Sequence, residues 1–140
     1  MKLRKLINYK YKLEEDIAFS TSIIGIEVKT EYIELKSHGV LVIRKGYMWD
    51  GVTGLPSFAT DAMLKHTARG SLLHDAFYQL IRLRLIPAYL KHKIDLEMKE
   101  RFTQDGLGKI VVSMFYQAVK NFGSQYCKPG DVKYPKVMEI

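Results

Sequence analysis

One cysteine is all the thiol chemistry this chain of 140 residues carries. Alone, Cys127 closes no intramolecular disulfide and builds no cysteine zinc site, which fits a protein made in a reducing cytoplasm. Long hydrophobic runs are missing too: no apolar stretch reaches the ~18–20 residues needed to span a bilayer. The basic start, Met1-Lys2-Leu3-Arg4-Lys5-Leu6, is not followed by the roughly 7–15 apolar residues of a secretory signal. There is no internal repeat and no low-complexity linker. Nor is there a helix-turn-helix pattern, an RNA-binding aromatic motif or a zinc finger. At 47% hydrophobic and 26% charged residues, the composition is that of a globular chain rather than a disordered one. Its length suits one domain and is too short for two.

Acidic side chains are the scarcer charge, 15 against 22 basic, for a net +7. That balance suits an anionic partner such as nucleic acid, a lipid surface or an acidic protein; it is equally the mark of a solvated basic surface. The basic residues concentrate at the N-terminus (Lys2, Arg4, Lys5, Lys10, Lys12) and between the two central helices (Arg82, Arg84, Lys91, Lys93).

The first third of the chain is strand-like. Short β-branched runs occupy 23–28, 32–35 and 40–44, with Ser37-His38-Gly39 a hairpin turn between the last two. Residues 9–13, alternating apolar or aromatic with lysine, offer a further strand. From Thr60 the period turns helical. Helices are expected over about 62–65, 68–84, 89–104 and 109–121, punctuated by Pro87, by Gly106 and Gly108, and by Gly123. Thr60-Asp61 reads as a helix start. The layout expected is therefore α+β, a small N-terminal antiparallel β-sheet packed on a C-terminal layer of three to four helices. Strands take about 1–47, a glycine-rich loop 48–58, helices 59–124 and an irregular tail 125–140.

The chemistry gathers in Gly70-Ser-Leu-Leu-His-Asp-Ala-Phe-Tyr-Gln-Leu80, an amphipathic helix with His74 and Tyr78 one turn apart and Asp75 beside them. An imidazole, a carboxylate and a phenol on a mostly apolar helix need partners, because buried polar groups are tolerated only when bonded. Asp95, on the next helix, packs back after the Pro87 turn and is the expected partner of His74, with Tyr78 donating to it. Histidine is the natural general base near neutral pH, once a carboxylate fixes its tautomer. Asp75, about 100° round the helix, points elsewhere. It is placed to meet a hard cation such as calcium, with carbonyls from the Gly51–Gly54 loop completing an all-oxygen shell. The alternative is a purely structural interhelical network, and a tight strand-to-helix crossover at the loop. His38, His66 and His92 read as exposed, Glu97 and Glu100 as solvent-facing partners of Lys93 and Arg101, and Phe115 and Tyr116 as core.

Two families share these residues. An Asp-Gly turn, a following proline, a His-Asp-x-x-Tyr helix and an aspartate on the next helix stand here as Asp50-Gly51, Pro56, His74-Asp75, Tyr78 and Asp95. In that order they resemble a family of small uncharacterised bacteriophage and prophage proteins, a domain of unknown function. The resemblance covers 46–122 and implies a phage protein without an assigned activity, in the host cytoplasm or the virion, with DNA, lipid or other phage subunits as anionic partners. More distantly, His74-Asp75-x-x-Tyr78 and Asp95 through Phe102 are similar to the phospholipase A2 superfamily, in particular its disulfide-free viral members. That similarity implies a calcium-dependent ester hydrolase in which His74 activates water, Asp95 orients His74, Tyr78 braces Asp95, and Asp75 with Gly51 and Gly54 holds calcium. The glycine-rich calcium loop of that superfamily is matched only loosely by Asp50-Gly-Val-Thr-Gly54, and the preceding strands have no counterpart in it.

Overall fold

The computed structural model describes residues 1–7, 10–52, 55 and 57–129. Among them seven short strands come first: β1 Leu3–Lys5, β2 Tyr11–Leu13, β3 Ile17–Ser20, β4 Val28–Lys29, β5 Ile33–Leu35, β6 Val40–Ile43 and β7 Met48–Trp49. Helices follow: α1 Ser57–Ala62, α2 Leu64–Arg82, a 3-10 turn at Ala88–Leu90, α3 Lys91–Gln104, α4 Lys109–Phe122 and a 3-10 segment at Gly123–Cys127. The fold class is α+β, as the residue periods require. Among the described residues, no helix is long and apolar enough to cross a membrane.

The strands form two antiparallel sheets rather than the single one expected, in the orders β1-β2-β7 and β3-β6-β5-β4. Alternation sets the second sheet. Ile33 and Leu35 on β5 pair with Ile43 and Leu41 on β6, and all four are fully buried while Glu34 between them is not. Gly39 closes this hairpin in the left-handed region, at φ +97°, where a Cβ would stand 2.3 Å from the Thr21 carbonyl oxygen. The expected strand at 23–28 is a correction. Gly25 also turns left-handed there, at φ +83°, Ile24 is exposed, and only Val28–Lys29 joins the sheet, at its edge. Strands β1, β3 and β7 escape the sequence pattern because they are short and, for β3 and β7, because their partners are distant in the chain; β7 lies inside the segment expected to be loop.

In the helical half, the break falls at Met63 rather than at 66–67, and Thr60 sits inside α1 instead of starting a helix. Asp61 is used by the sheet: Tyr11 Oη donates to it at 2.5 Å and Lys5 pairs with it. Helix α2 ends at Arg82, two residues before the expected stop. Arg84 takes the left-handed conformation usual for a capping glycine, at φ +59°.

One core joins both sheets to α2, with Tyr11, Leu13, Leu41, Ile43 and Trp49 meeting Leu72, Leu73, Phe77 and Leu80. Two buried hydrogen bonds fix the layers in register. Trp49 Nε1–H donates to Ser71 Oγ, and Tyr47 Oη donates to Gln79 Oε1, each at 3.0 Å. A second cluster of Val52, Met98, Phe102 and Val112 sits under α3 and α4. Glu97 is another correction: it is buried, not solvent-facing. Its Oε2 accepts the Ser22 N–H at 2.9 Å, its Oε1 lies 3.3 Å from Arg101, and Arg101 donates to the Ser20 carbonyl. Glu100 is exposed, as expected.

Candidate active site

The site is assembled by α2 and α3 running antiparallel. Their close approach depends on Gly70, where a Cβ would stand 2.5 Å from the Phe102 ring. One helical turn along α2 brings His74 and Tyr78 together, their rings 3.9 Å apart between centroids. Asp95, on the facing side of α3, is 1% exposed. His74 Nε2 lies 2.8 Å from Asp95 Oδ1, and Tyr78 Oη donates to the same oxygen at 2.6 Å. The His74–Asp95–Tyr78 grouping expected from the spacing is therefore present in three dimensions.

A fourth member was not foreseen. Lys91 Nζ donates to Asp95 Oδ2 at 2.8 Å and to the Val119 carbonyl at 2.8 Å, tying α4 into the cluster. Its i,i+4 spacing to Asp95 was in the sequence, but so was the simpler reading of a surface lysine. Burial is the largest single influence on the Asp95 carboxyl and pushes it up. Hydrogen bonds from His74, Lys91 and Tyr78 together outweigh it and hold the group below the usual carboxylate range. Asp95 is thus an anion that only accepts, so His74 Nε2 carries the proton it shares and Nδ1 is left as the ring's basic nitrogen. Burial, then the bond to Asp95, raise the Tyr78 phenol well above its ordinary value, so it serves as a fixed donor. The neighbouring Cys127 thiol is pushed up to about 11 by burial, which removes it as a nucleophile at neutral pH.

His74 and Asp75 open onto one cavity of about 250 Å³, lying between α2, α3, α4 and the chain after β7. Ser71, His74, Asp75, Tyr78 and Arg82 of α2 form a polar wall, and Met98, Phe102, Phe115, Val119 and Phe122 an apolar one. The 3-10 segment seals one end: a Cβ on Gly123 would stand 2.5 Å from Tyr78 Oη and 3.1 Å from Lys91 Cε. Gly51, at φ +78°, lines the same cavity as Asp75, so two members of the expected calcium site border it. Gly54, the third, and Pro56 lie outside the described residues. Among the described residues no group of three or more His, Cys, Asp and Glu side chains converges. The donors at hand are one carboxylate and backbone carbonyls, a set that suits only a hard cation.

Arg82 is another residue that sequence reasoning misplaced. Counted with the surface basics, it is 7% exposed and lines the cavity, at the i+4 position from Tyr78 that could have disclosed it. His66, expected to be exposed, is half-buried, with Nδ1 2.6 Å from the Asp105 carbonyl oxygen; His38 and His92 are exposed. Tyr116 is buried and Phe115 packs on the second core cluster, as expected. No protein-family model matches this chain, nor does any curated protein or solved structure.

Proposed function

We propose that the protein is a metal-dependent ester hydrolase of the phospholipase A2 kind, working in a phage-infected cell. The observation that carries this is a buried His74–Asp95 pair, 2.8 Å apart, opening onto a half-apolar cavity that Asp75 also lines. In this reading Nδ1 of His74 takes a proton from water as the water oxygen attacks the ester carbonyl, and returns it to the leaving alkoxide as the ester C–O bond breaks. Asp95 holds the Nε2–H and stabilises the imidazolium that results. Tyr78 and Lys91 keep Asp95 in place, and the apolar wall receives the hydrocarbon part of the substrate. Asp75 and the Gly51 carbonyl, with Gly54 as a further ligand, would hold calcium, which supplies positive charge for the developing oxyanion. The basic surface suits approach to a lipid surface or another anionic assembly.

A second reading is favoured by one observation, the Lys91–Asp95 ion pair. This pair within α3 already neutralises the carboxylate, and Lys91 goes on to the Val119 carbonyl of α4, as a structural network in a non-enzymatic virion or assembly component would require. Titrating the metal-stripped protein with calcium, on wild type and Asp75→Asn, separates the two. The hydrolase reading expects saturable binding that the nearly isosteric variant loses at unchanged stability, and calcium-dependent ester hydrolysis that His74→Asn abolishes. Calcium binding indifferent to Asp75→Asn would remove the metal assignment. An absence of binding in both proteins, with no hydrolysis, would leave the structural component.

A further inference from the structure

We infer that Arg82 is an anion-recognition residue and that the cavity takes an amphiphile bearing one carboxylate or phosphate group. The inference names the ligand class of the proposed hydrolase's cavity; it rests on that reading for the ligand's fate but not for its binding.

Arginine stays charged at every accessible pH, so its burial requires compensation. Arg82 is 7% exposed, yet its guanidinium gains little from the protein. One Nη1–H donates to the Tyr126 carbonyl at 3.0 Å, while Nε is buried with no hydrogen bond. Among the described residues no carboxylate forms an ion pair with it. Lys91 differs in that its charge is already paired with Asp95, and two of its three N–H groups go to Asp95 and the Val119 carbonyl.

Position then defines the ligand. Residues 74, 78 and 82 follow one another at four-residue intervals, each about 40° further round α2, so Arg82 lines the same cavity as His74 about 12 Å further along the axis, turned towards the Asp75 stripe. Asp75, seven residues before it, lies on nearly the same stripe of the helix, about 10 Å along the axis. Opposite this polar row stand Phe115, Val119 and Phe122, the last 69% exposed at the rim. A planar guanidinium with an unbonded Nε–H matches a carboxylate or phosphate in a two-point contact, and Phe115, Val119 and Phe122 offer hydrocarbon to the rest of the ligand. A small inorganic anion would leave that wall empty, and a neutral lipid would leave Arg82 uncompensated.

Calorimetric titration of the full chain with octanoate, octyl phosphate, 1-octanol and inorganic phosphate tests this. Octanoate or octyl phosphate should bind saturably, with 1-octanol and inorganic phosphate each at least about tenfold weaker, the loss of one charge-assisted contact or of the apolar contact. Arg82→Gln should bring the anionic amphiphile down to the level of 1-octanol, and Arg82→Lys should keep part of the difference. Equal affinity for octanoate and 1-octanol in the wild type overturns the proposal without any variant, whether or not Arg82→Gln folds. Inorganic phosphate binding as tightly as octyl phosphate overturns the amphiphile and leaves a free-phosphate site. The hydrolase reading fails separately. Octanoate bound by a protein that cleaves no ester would remove the hydrolase and leave Arg82 in its role. Ester cleavage indifferent to Arg82→Gln, with no preference for anionic substrates, would do the reverse.

Discussion

Asp95 gathers three donors on two oxygens at almost no exposure, so the site's energetics turn on one carboxylate. Its pKa is lowered on folding. A group of this sign contributes stability above its unfolded value of about 3.9, and the contribution is lost as pH falls through the lower folded value. Urea midpoints measured from pH 6 downward should therefore fall less steeply in Asp95→Asn than in wild type below about pH 4. Equal slopes would mean that the carboxylate is not held as an anion. Asp95→Ala, which strands the Lys91 ammonium, should cost about 3 kcal/mol near neutral pH. His74, Tyr78 and Asp95 were legible because helical spacing alone brings the first two together and antiparallel packing supplies the third. Lys91 and Arg82 were not, because spacing does not say which way a long, flexible cation turns. That depends on whether a neighbour rewards burial.

Close approach governs the helical pairs. Within an isolated helix, alanine in place of Gly70 would be favourable by about 1 kcal/mol. In this protein the added methyl meets the buried Phe102 ring at 2.5 Å, at the point where α2 and α3 lie closest. Gly70→Ala should therefore destabilise by about 1–3 kcal/mol, reversing the propensity order. Chemical denaturation decides the sign, and a stabilised variant would mean that the ring moves aside at no cost. Gly123 has ordinary helical dihedrals and no strain of its own, yet it seats the 3-10 segment against Tyr78 and Lys91. Neither glycine announced its purpose in the sequence. Gly123 read as a helix stop, and Gly70 as part of an amphipathic pattern.

Across the whole molecule, sheets and helices share one buried cluster and are pinned by hydrogen bonds that cross between them, from Trp49 to Ser71, Tyr47 to Gln79 and Ser22 to Glu97. Unfolding should accordingly be one transition, with Trp49 fluorescence reporting the sheet and far-ultraviolet circular dichroism the helices, at coincident midpoints. Separated midpoints would show that the helical half, with its cavity, folds apart from the sheets. Glu97→Ala should shift both midpoints together, since it leaves Arg101 buried without its carboxylate.

Residue periods, turn residues and the His-x-x-x-Tyr spacing determined by themselves the α+β class, the β5–β6 hairpin, three of the helices within a few residues and the core of the site. These are decided by contacts a few residues apart, which the order of side chains encodes directly. The division into two sheets, the inward turn of Lys91, Arg82 and Glu97, and the cavity wall from α4 came only with tertiary structure. Each depends on a partner at least 20 residues away or on a neighbouring element. Burying a charge or pairing a short strand is favourable only after that partner has arrived.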